Sequence, residues 1–123
     1  MKRTLATVIL LMTAGLSFAQ LADQGKKLYS YERYGSAIQL LQKAVTANPA
    51  DIDSWYWLIK SQLAAGDLDS ALYTAQKIPA SLTEQPLAKV IRGEISLHKA
   101  DSINAAILFT EAIGSKRKKD PLI

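Results

Sequence analysis

The sequence predicts an all-α fold in which three helical hairpins stack into a solenoid. Three observations predict it: a 34-residue repeat, a helical spacing of apolar residues inside each repeat, and prolines near the repeat ends. Ala37, Ala71 and Ala105 follow one another at intervals of 34 residues, and a fixed period of this length is the signature of stacked supersecondary units. No segment shows the alternation of a half-buried strand. We therefore expect six helices in three antiparallel pairs.

Residues 1–19 have the three parts of a secretory signal peptide. Lys2 and Arg3 supply the positive start, residues 5–16 are mostly apolar, and residues 17–19 end the segment with small residues at alternate positions. The alternative is an uncleaved membrane anchor, but a dozen apolar residues fall short of the roughly 20 that span a bilayer. We expect cleavage after Ala19 and export of the mature chain to the periplasm or the cell exterior.

The first unit, about residues 20–51, contains the clearest helical pattern. Over residues 34–47 the apolar side chains recur at intervals of three and four, as in a helix that buries one face: Tyr34, Ala37, Ile38, Leu41, Ala44 and Val45. Asn48 and Pro49 close this unit, because proline cannot continue a helix. A short turn over residues 31–34 separates this helix from the one before it.

The second and third units, about residues 52–85 and 86–114, repeat this organisation. Apolar stripes over residues 68–78 and 102–114 predict the second helix of each pair. Pro79 ends the second unit, and Pro86 suits the first turn of a helix that runs to about Lys99. Residues 115–123 form a basic tail, which we expect to interact favourably with the dipole of the last helix; contact with an anionic membrane or polymer is the alternative.

These residues resemble the pattern of the tetratricopeptide repeat family: an aromatic residue and a Leu-Gly pair in the first helix, a Gly-Asp turn, then Ala, aromatic, Ala and a closing Pro. The first unit supplies Gly25, Tyr34, Ala37, Leu41, Ala44 and Pro49; the second Trp55, Leu58, Gly66, Asp67, Ala71 and Ala75; the third Gly93, Asp101, Ala105, Phe109 and Ala112. Ile59 replaces the glycine of the second unit, and Lys89 replaces the aromatic residue of the third.

The resemblance implies a right-handed solenoid whose concave face is lined by the first helices and accepts a peptide or protein segment. By repeat phase, the predicted groove residues are Lys26, Tyr29, Tyr56, Trp57, Lys60, Leu63, Val90, Glu94, Leu97 and His98. Aromatic anchors flanked by cations are typical of interface hot spots. The alternative is that the two central aromatics pack partly on neighbouring repeats and that the lysines are only solvated.

One known specificity of the family is predicted to be absent. Members that grip the C-terminal carboxylates of chaperones use a clamp of lysine, arginine and asparagine. At the matching places this chain has Ala22, Trp57, Leu87 and Ile91. Lys26 and Lys60 could still meet an acidic ligand in another way.

Composition argues against several other functions. The chain has no cysteine and one histidine, which excludes a disulfide framework and a thiolate zinc site and disfavours any metal or cofactor. Ser96, His98 and Asp101 have no arrangement as nucleophile, base and orienter, so we expect no enzyme. The net charge of +4 comes from the two ends, since residues 20–114 carry 9 basic and 10 acidic side chains; this balance disfavours nucleic-acid binding. No second apolar segment predicts a membrane span.

The last predicted helix offers an alternative role. It carries Ile103, Ile107, Phe109 and Ile113, with only nine residues after Gly114, whereas solenoids end in a polar capping helix. A partner or a second copy of the chain could cover this helix. The sequence thus leaves two functions open: a scaffold that binds a segment in its groove, and a self-associating or complex-assembly subunit.

Overall fold

The computed structural model describes the backbone of residues 17–118 and the side chains of residues 17–114. Within residues 17–118 there are six α-helices and no strand, which confirms the predicted fold class. The elements are α1 Phe18–Ser30, α2 Tyr34–Ala47, α3 Ile52–Ala64, α4 Leu68–Lys77, a 3-10 helix Ala80–Leu82, α5 Pro86–His98 and α6 Ser102–Lys118. Most of the predicted signal peptide, residues 1–16, and the end of the predicted tail, residues 119–123, lie outside the described residues.

The helix ends follow from local side-chain chemistry. Ser17 and Gln20 form a capping box at the start of α1, in which each side chain bonds the backbone of the other. Asp67 accepts a hydrogen bond of 3.0 Å from the backbone N–H of Ser70 and so caps α4. Pro86 occupies the first turn of α5, as the sequence predicts. Helix α6 runs past the predicted residue 114 to Lys118.

The turn inside each hairpin has the same backbone conformation. Glu32, Gly66 and Ala100, spaced by 34 residues, have φ of 62°, 80° and 61°. In each turn the following residue donates a backbone hydrogen bond of 2.8–2.9 Å to the fifth residue before it, which closes a Schellman motif. Only the middle turn has the glycine that this conformation favours, so the outer two turns hold a residue at a conformation that costs roughly 1–2 kcal/mol.

Helix α3 is the centre of the packing. It contacts α1, α2, α4 and α5, and seven of its 13 residues are buried. Ala37 and Ala71 are fully buried and Ala105 is 1% exposed. Small buried side chains of this kind are what two helices need in order to approach to about 8–10 Å.

Packing explains why Ile59 replaces the glycine of the family pattern in the middle hairpin. A Cβ on Gly25 would lie 2.5 Å from Leu41 Cγ, and one on Gly93 would lie 2.5 Å from Phe109 Cε1. In the outer hairpins the first helix therefore supplies no side chain and the second supplies a large one. At the equivalent places of the middle hairpin, Ile59 is fully buried and the small residue is Ala75. The middle hairpin thus has the large residue on its first helix and the small one on its second, the inverse of the outer hairpins. In all three hairpins one large and one small residue fill the space where the two helices cross.

Lys89 occupies the repeat position that Trp55 fills in the middle unit. Its side chain is only 10% exposed, and its ammonium group lies 3.3 Å from Glu84 Oε2 and 3.5 Å from Glu111 Oε2. The aliphatic stem can fill the apolar space while the charged end reaches two carboxylates. Lys89 thus joins α5 to α6 and to the segment that precedes α5.

The inverted pair can be tested by building it into the first hairpin. Gly25→Ile should overpack the crossing, and Leu41→Ala should cost about 2–5 kcal/mol through the cavity it leaves. The double variant reproduces the middle hairpin and should cost less than the sum of the two by about 0.5–3 kcal/mol, measured by urea unfolding.

The control is Gly114→Ala, since a Cβ at Gly114 meets nothing within 4 Å. It should leave stability unchanged or raise it by up to about 1 kcal/mol. Strict additivity of Gly25→Ile and Leu41→Ala would contradict the inverted-pair explanation.

Candidate functional site

The first helices of the three hairpins lie side by side, because α3 contacts both α1 and α5. We call the accessible residues that they present the first-helix surface. Its centre consists of Lys26 and Tyr29 on α1, Asp53, Tyr56, Trp57 and Lys60 on α3, and Glu94 on α5, all of them half-buried. Half-burial fixes these side chains while leaving part of each open to a partner.

A row of aromatic rings crosses this surface. The Tyr29 ring lies 5.2 Å from that of Trp57, and Trp57 lies 5.2 Å from Tyr56, both in edge-to-face geometry. Tyr34, the first residue of α2, extends the row with a centroid distance of 5.5 Å to Tyr29. Such pairs contribute roughly 0.5–1.5 kcal/mol each beyond their buried area. The row therefore holds its rings in fixed orientations before any ligand arrives.

Two ion pairs join successive repeats across the same surface. Lys26 on α1 pairs with Asp53 on α3, and Lys60 Nζ on α3 lies 3.1 Å from Glu94 Oε1 on α5. The Lys60 ammonium also lies 5.5 Å from the centre of the Tyr56 ring, within range of a cation–π contact. The surface is therefore electrically balanced, with each lysine already facing a carboxylate.

The titration of Tyr56 and Lys60 is coupled to Glu94. Burial raises the pKa of the Tyr56 hydroxyl and the Glu94 charge raises it further, against a smaller opposing effect of Lys60. Desolvation alone would lower the pKa of Lys60, but the hydrogen bond and charge of Glu94, together with Tyr56, outweigh it and the pKa is raised. At neutral pH Tyr56 is a hydrogen-bond donor and Lys60 is a cation.

The other residues of the predicted groove are placed differently. Leu63 is 6% exposed and belongs to the hydrophobic core, so its assignment to an open groove is wrong. Val90 is half-buried, and Leu97 is 50% exposed near the end of α5. His98 is exposed, and its Nδ1 lies 2.9 Å from the backbone carbonyl of Glu94 in its own helix. The ring contacts of the aromatic row include none of these last three residues.

Sequence reasoning missed Asp53 as a member of this surface and Tyr34 as its neighbour on α2. Asp53 lies three and four residues before Tyr56 and Trp57 and seven before Lys60, the spacing of one helix face. That periodicity could have found it. Of the four places of the carboxylate clamp, Ala22 and Ile91 are buried in the structure, so neither reaches a ligand.

Among residues 17–118 no group of three or more acidic or histidine side chains could hold a metal ion. None of the helices in that range combines the length and apolar character that a bilayer span requires. The side chains brought together on the first-helix surface are aromatic rings and ion pairs, which are suited to binding.

The sequence pattern of the family described as "Tetratricopeptide repeat" matches residues 28–93, more than half of the 123 residues. The chain therefore belongs to the tetratricopeptide repeat family. Repeats of this family generally mediate contacts between proteins, and its members are typically scaffolds without catalytic activity. No curated protein gives a significant match.

The coupling of Tyr56 and Lys60 to Glu94 predicts a loss of stability in alkali. Both pKa values are raised on folding. The stabilisation is therefore complete below the ordinary values of about 10 and 10.4 and is lost as pH rises through the folded-state values. Urea unfolding at pH 9 and pH 11 should show a smaller pH-dependent loss for Glu94→Gln than for the unaltered protein. Glu32→Gln, an exposed control in the first hairpin turn, should behave like the unaltered protein; equal losses in all three would contradict the coupling.

Proposed function

We propose that this tetratricopeptide repeat protein is an exported scaffold that holds a peptide or protein segment on its first-helix surface. The observation that carries the proposal is the aromatic row from Tyr34 through Tyr29 and Trp57 to Tyr56. Tyrosine and tryptophan dominate the energetics of protein interfaces, because they bury large areas at a low cost in side-chain entropy.

The balanced charge of the surface narrows the kind of segment that it would accept. A strongly acidic ligand would have to separate Lys26 from Asp53 and Lys60 from Glu94 before it could use either lysine. A segment with apolar or aromatic anchors needs no such exchange, since it packs against rings that are already oriented. The protonated Tyr56 hydroxyl adds a donor for a carbonyl group. We therefore favour a segment with apolar anchors over a polyacidic one.

The export part of the proposal is supported by the sequence of residues 1–19, with its basic start, apolar middle and small residues at the end. Cleavage after Ala19 would leave Gln20 as the first residue. It would also remove the first two residues of α1, Phe18 and Ala19, together with the N-cap hydroxyl of Ser17. The mature protein would then act in the periplasm or outside the cell.

A second candidate function is assembly through α6, which the exposed isoleucines favour. Ile103 is 76% exposed, Ile107 is 52% exposed and Ile113 is 56% exposed. Ile103 and Ile107 are one turn apart on the helix face opposite the buried Ala105 and Ala112. A helix that is apolar on two faces is typically covered on both. A second copy of the chain is the simplest cover.

The binding proposal predicts that removing the aromatic anchors removes the partner. Peptides selected from a random library on the unaltered protein should bind the Tyr56→Ala/Trp57→Ala variant at least roughly 30-fold more weakly, the loss expected of a hot spot. Isothermal titration calorimetry would measure this, with circular dichroism to confirm that the variant is folded.

The matched control is Tyr31→Ala, which truncates an exposed tyrosine that makes none of the ring contacts of the row. It should bind the selected peptides as tightly as the unaltered protein. The binding proposal is contradicted if the control loses as much peptide affinity as Tyr56→Ala/Trp57→Ala, or if Tyr56→Ala/Trp57→Ala loses none.

The assembly candidate predicts that the oligomeric state depends on the exposed isoleucines of α6. Sedimentation velocity at tens of micromolar should show a dimer or larger species that Ile103→Ser/Ile107→Ser converts to monomer, because the substitution removes the apolar contact. Leu97→Ser, at an exposed leucine of α5, is the control and should leave the association unchanged. A monomer at that concentration for the unaltered protein would exclude self-association.

A further inference from the structure

A cleft of about 690 Å³ lies on the other side of α3 from the first-helix surface, between the second helices α2 and α4. Its floor is a stripe of α3 formed by Trp55, Leu58 and Gln62. Trp55 and Trp57 are two residues apart, which turns their side chains to opposite sides of one helix. The volume falls within the range of about 300–1,000 Å³ typical of ligand sites.

The floor of this cleft contains an unsatisfied polar atom. Gln62 is 3% exposed, and its side-chain Oε1 has no hydrogen-bond partner among the described residues. The equivalent residues of the other two hairpins, Leu28 and Ser96, leave no such acceptor unbonded. Leu28 is apolar, and the Ser96 hydroxyl donates to the Arg92 carbonyl and accepts from Asn104. A buried acceptor without a donor is destabilising, so Gln62 requires an explanation that folding alone does not supply.

Two other polar groups near the floor are already bonded. The Trp55 indole N–H donates to the Pro49 carbonyl at 2.8 Å, and the Thr46 hydroxyl donates to the Gln42 carbonyl at 2.8 Å. Between these groups the floor is apolar, with Leu58 at its middle. A ligand in the cleft would therefore meet the unsatisfied amide of the buried Gln62 at one end and the apolar surface of Leu58 beside it.

The Lys77 ammonium group lies at the end of the cleft opposite Gln62. Because α4 runs antiparallel to α3, Lys77 at its C-terminus lies at the Trp55 end of the cleft. The Lys77 ammonium is 4.4 Å from the centre of the Tyr73 ring. Within the described side chains the ion-paired lysines are Lys26, Lys60 and Lys89, and Lys77 is not among them. This charge is available to a carboxylate.

We propose that this cleft binds a short extended peptide whose main-chain N–H bonds Gln62 Oε1 and whose carboxylate meets Lys77. The span from Trp55 to Gln62 is seven residues of helix, or about 10 Å, which equals about three residues of extended chain. The middle side chain of such a peptide packs on Leu58. The carboxylate is supplied either by the peptide C-terminus or by an acidic side chain.

The two tryptophans of the chain report the two surfaces separately. Trp55 forms the cleft floor and Trp57 belongs to the first-helix surface, and the sequence has no other tryptophan. The full chain labelled with ¹⁵N is titrated with three probes: acetyl-Ala-Leu-Ala with a free C-terminus, the amide acetyl-Ala-Leu-Ala-Glu-NH₂, and the uncharged acetyl-Ala-Leu-Ala-NH₂. We expect the Trp55 indole resonance to shift with one or both charged probes, and the Trp57 resonance to stay in place.

Variants of Gln62 and Lys77, each with a control, test whether these two residues bind the charged probes. Gln62→Leu, which carries the residue found at position 28, should weaken binding of the charged probes about tenfold, the loss of one hydrogen bond. The same variant should raise the melting temperature, because it removes the unsatisfied acceptor. Lys77→Gln should reduce binding to that of the uncharged probe. Gln39→Leu and Lys43→Gln, on α2 outside the cleft, are the controls and should change neither quantity.

The proposal is overturned if the Trp55 resonance fails to move at millimolar probe, or if the uncharged probe binds as well as the charged ones. It is also overturned if Gln62→Leu leaves binding unchanged, since an internal water then suffices for Gln62. Shifts confined to Trp57 would place the peptide on the first-helix surface, which supports the proposed function and rejects the cleft. Shifts confined to Trp55 would support the cleft and leave the first-helix proposal to its own test.

Discussion

The structure depends on the burial of α3 between the other hairpins. This one helix contacts α1, α2, α4 and α5, and its buried Leu58 and Ile59 belong to the hydrophobic core of the described residues. The burial fixes the orientation of α3 about its own axis. The direction in which each α3 side chain points is therefore fixed. Both the first-helix surface and the cleft between α2 and α4 depend on these directions.

The architecture could be predicted from the sequence because its causes are local and repeated. Ala37, Ala71 and Ala105 mark the helix crossings at a fixed interval, and the bounds of α2 follow from the apolar stripe and Pro49. Lys89 could be identified as a departure from the pattern, but its consequence could not. Its pairing with Glu84 and Glu111 depends on the approach of α6 and the preceding segment, which only the folded chain defines.

The candidate site was predicted in outline, since repeat phase identifies the helix face but not the depth of each side chain. Tyr29, Tyr56 and Trp57 lie together as one row, whereas Leu63 at the same phase as Tyr29 is in the core. Burial depends on what the neighbouring hairpin places opposite, and no spacing in one sequence encodes that. The unsatisfied Gln62 amide was invisible for the same reason, because a glutamine on a helix is unremarkable until its surroundings are known.

The inverted pair at Ile59 and Ala75 distinguishes the middle hairpin from the two outer ones. If α1 paired with α4, Gly25 would face an alanine and leave a void; if α3 paired with α2, Ile59 would collide with Leu41. Tandem repeats of similar sequence are prone to misassembly and domain swapping during folding. The exchange of large and small residues in the middle unit thus disfavours pairing of its helices with those of the outer hairpins.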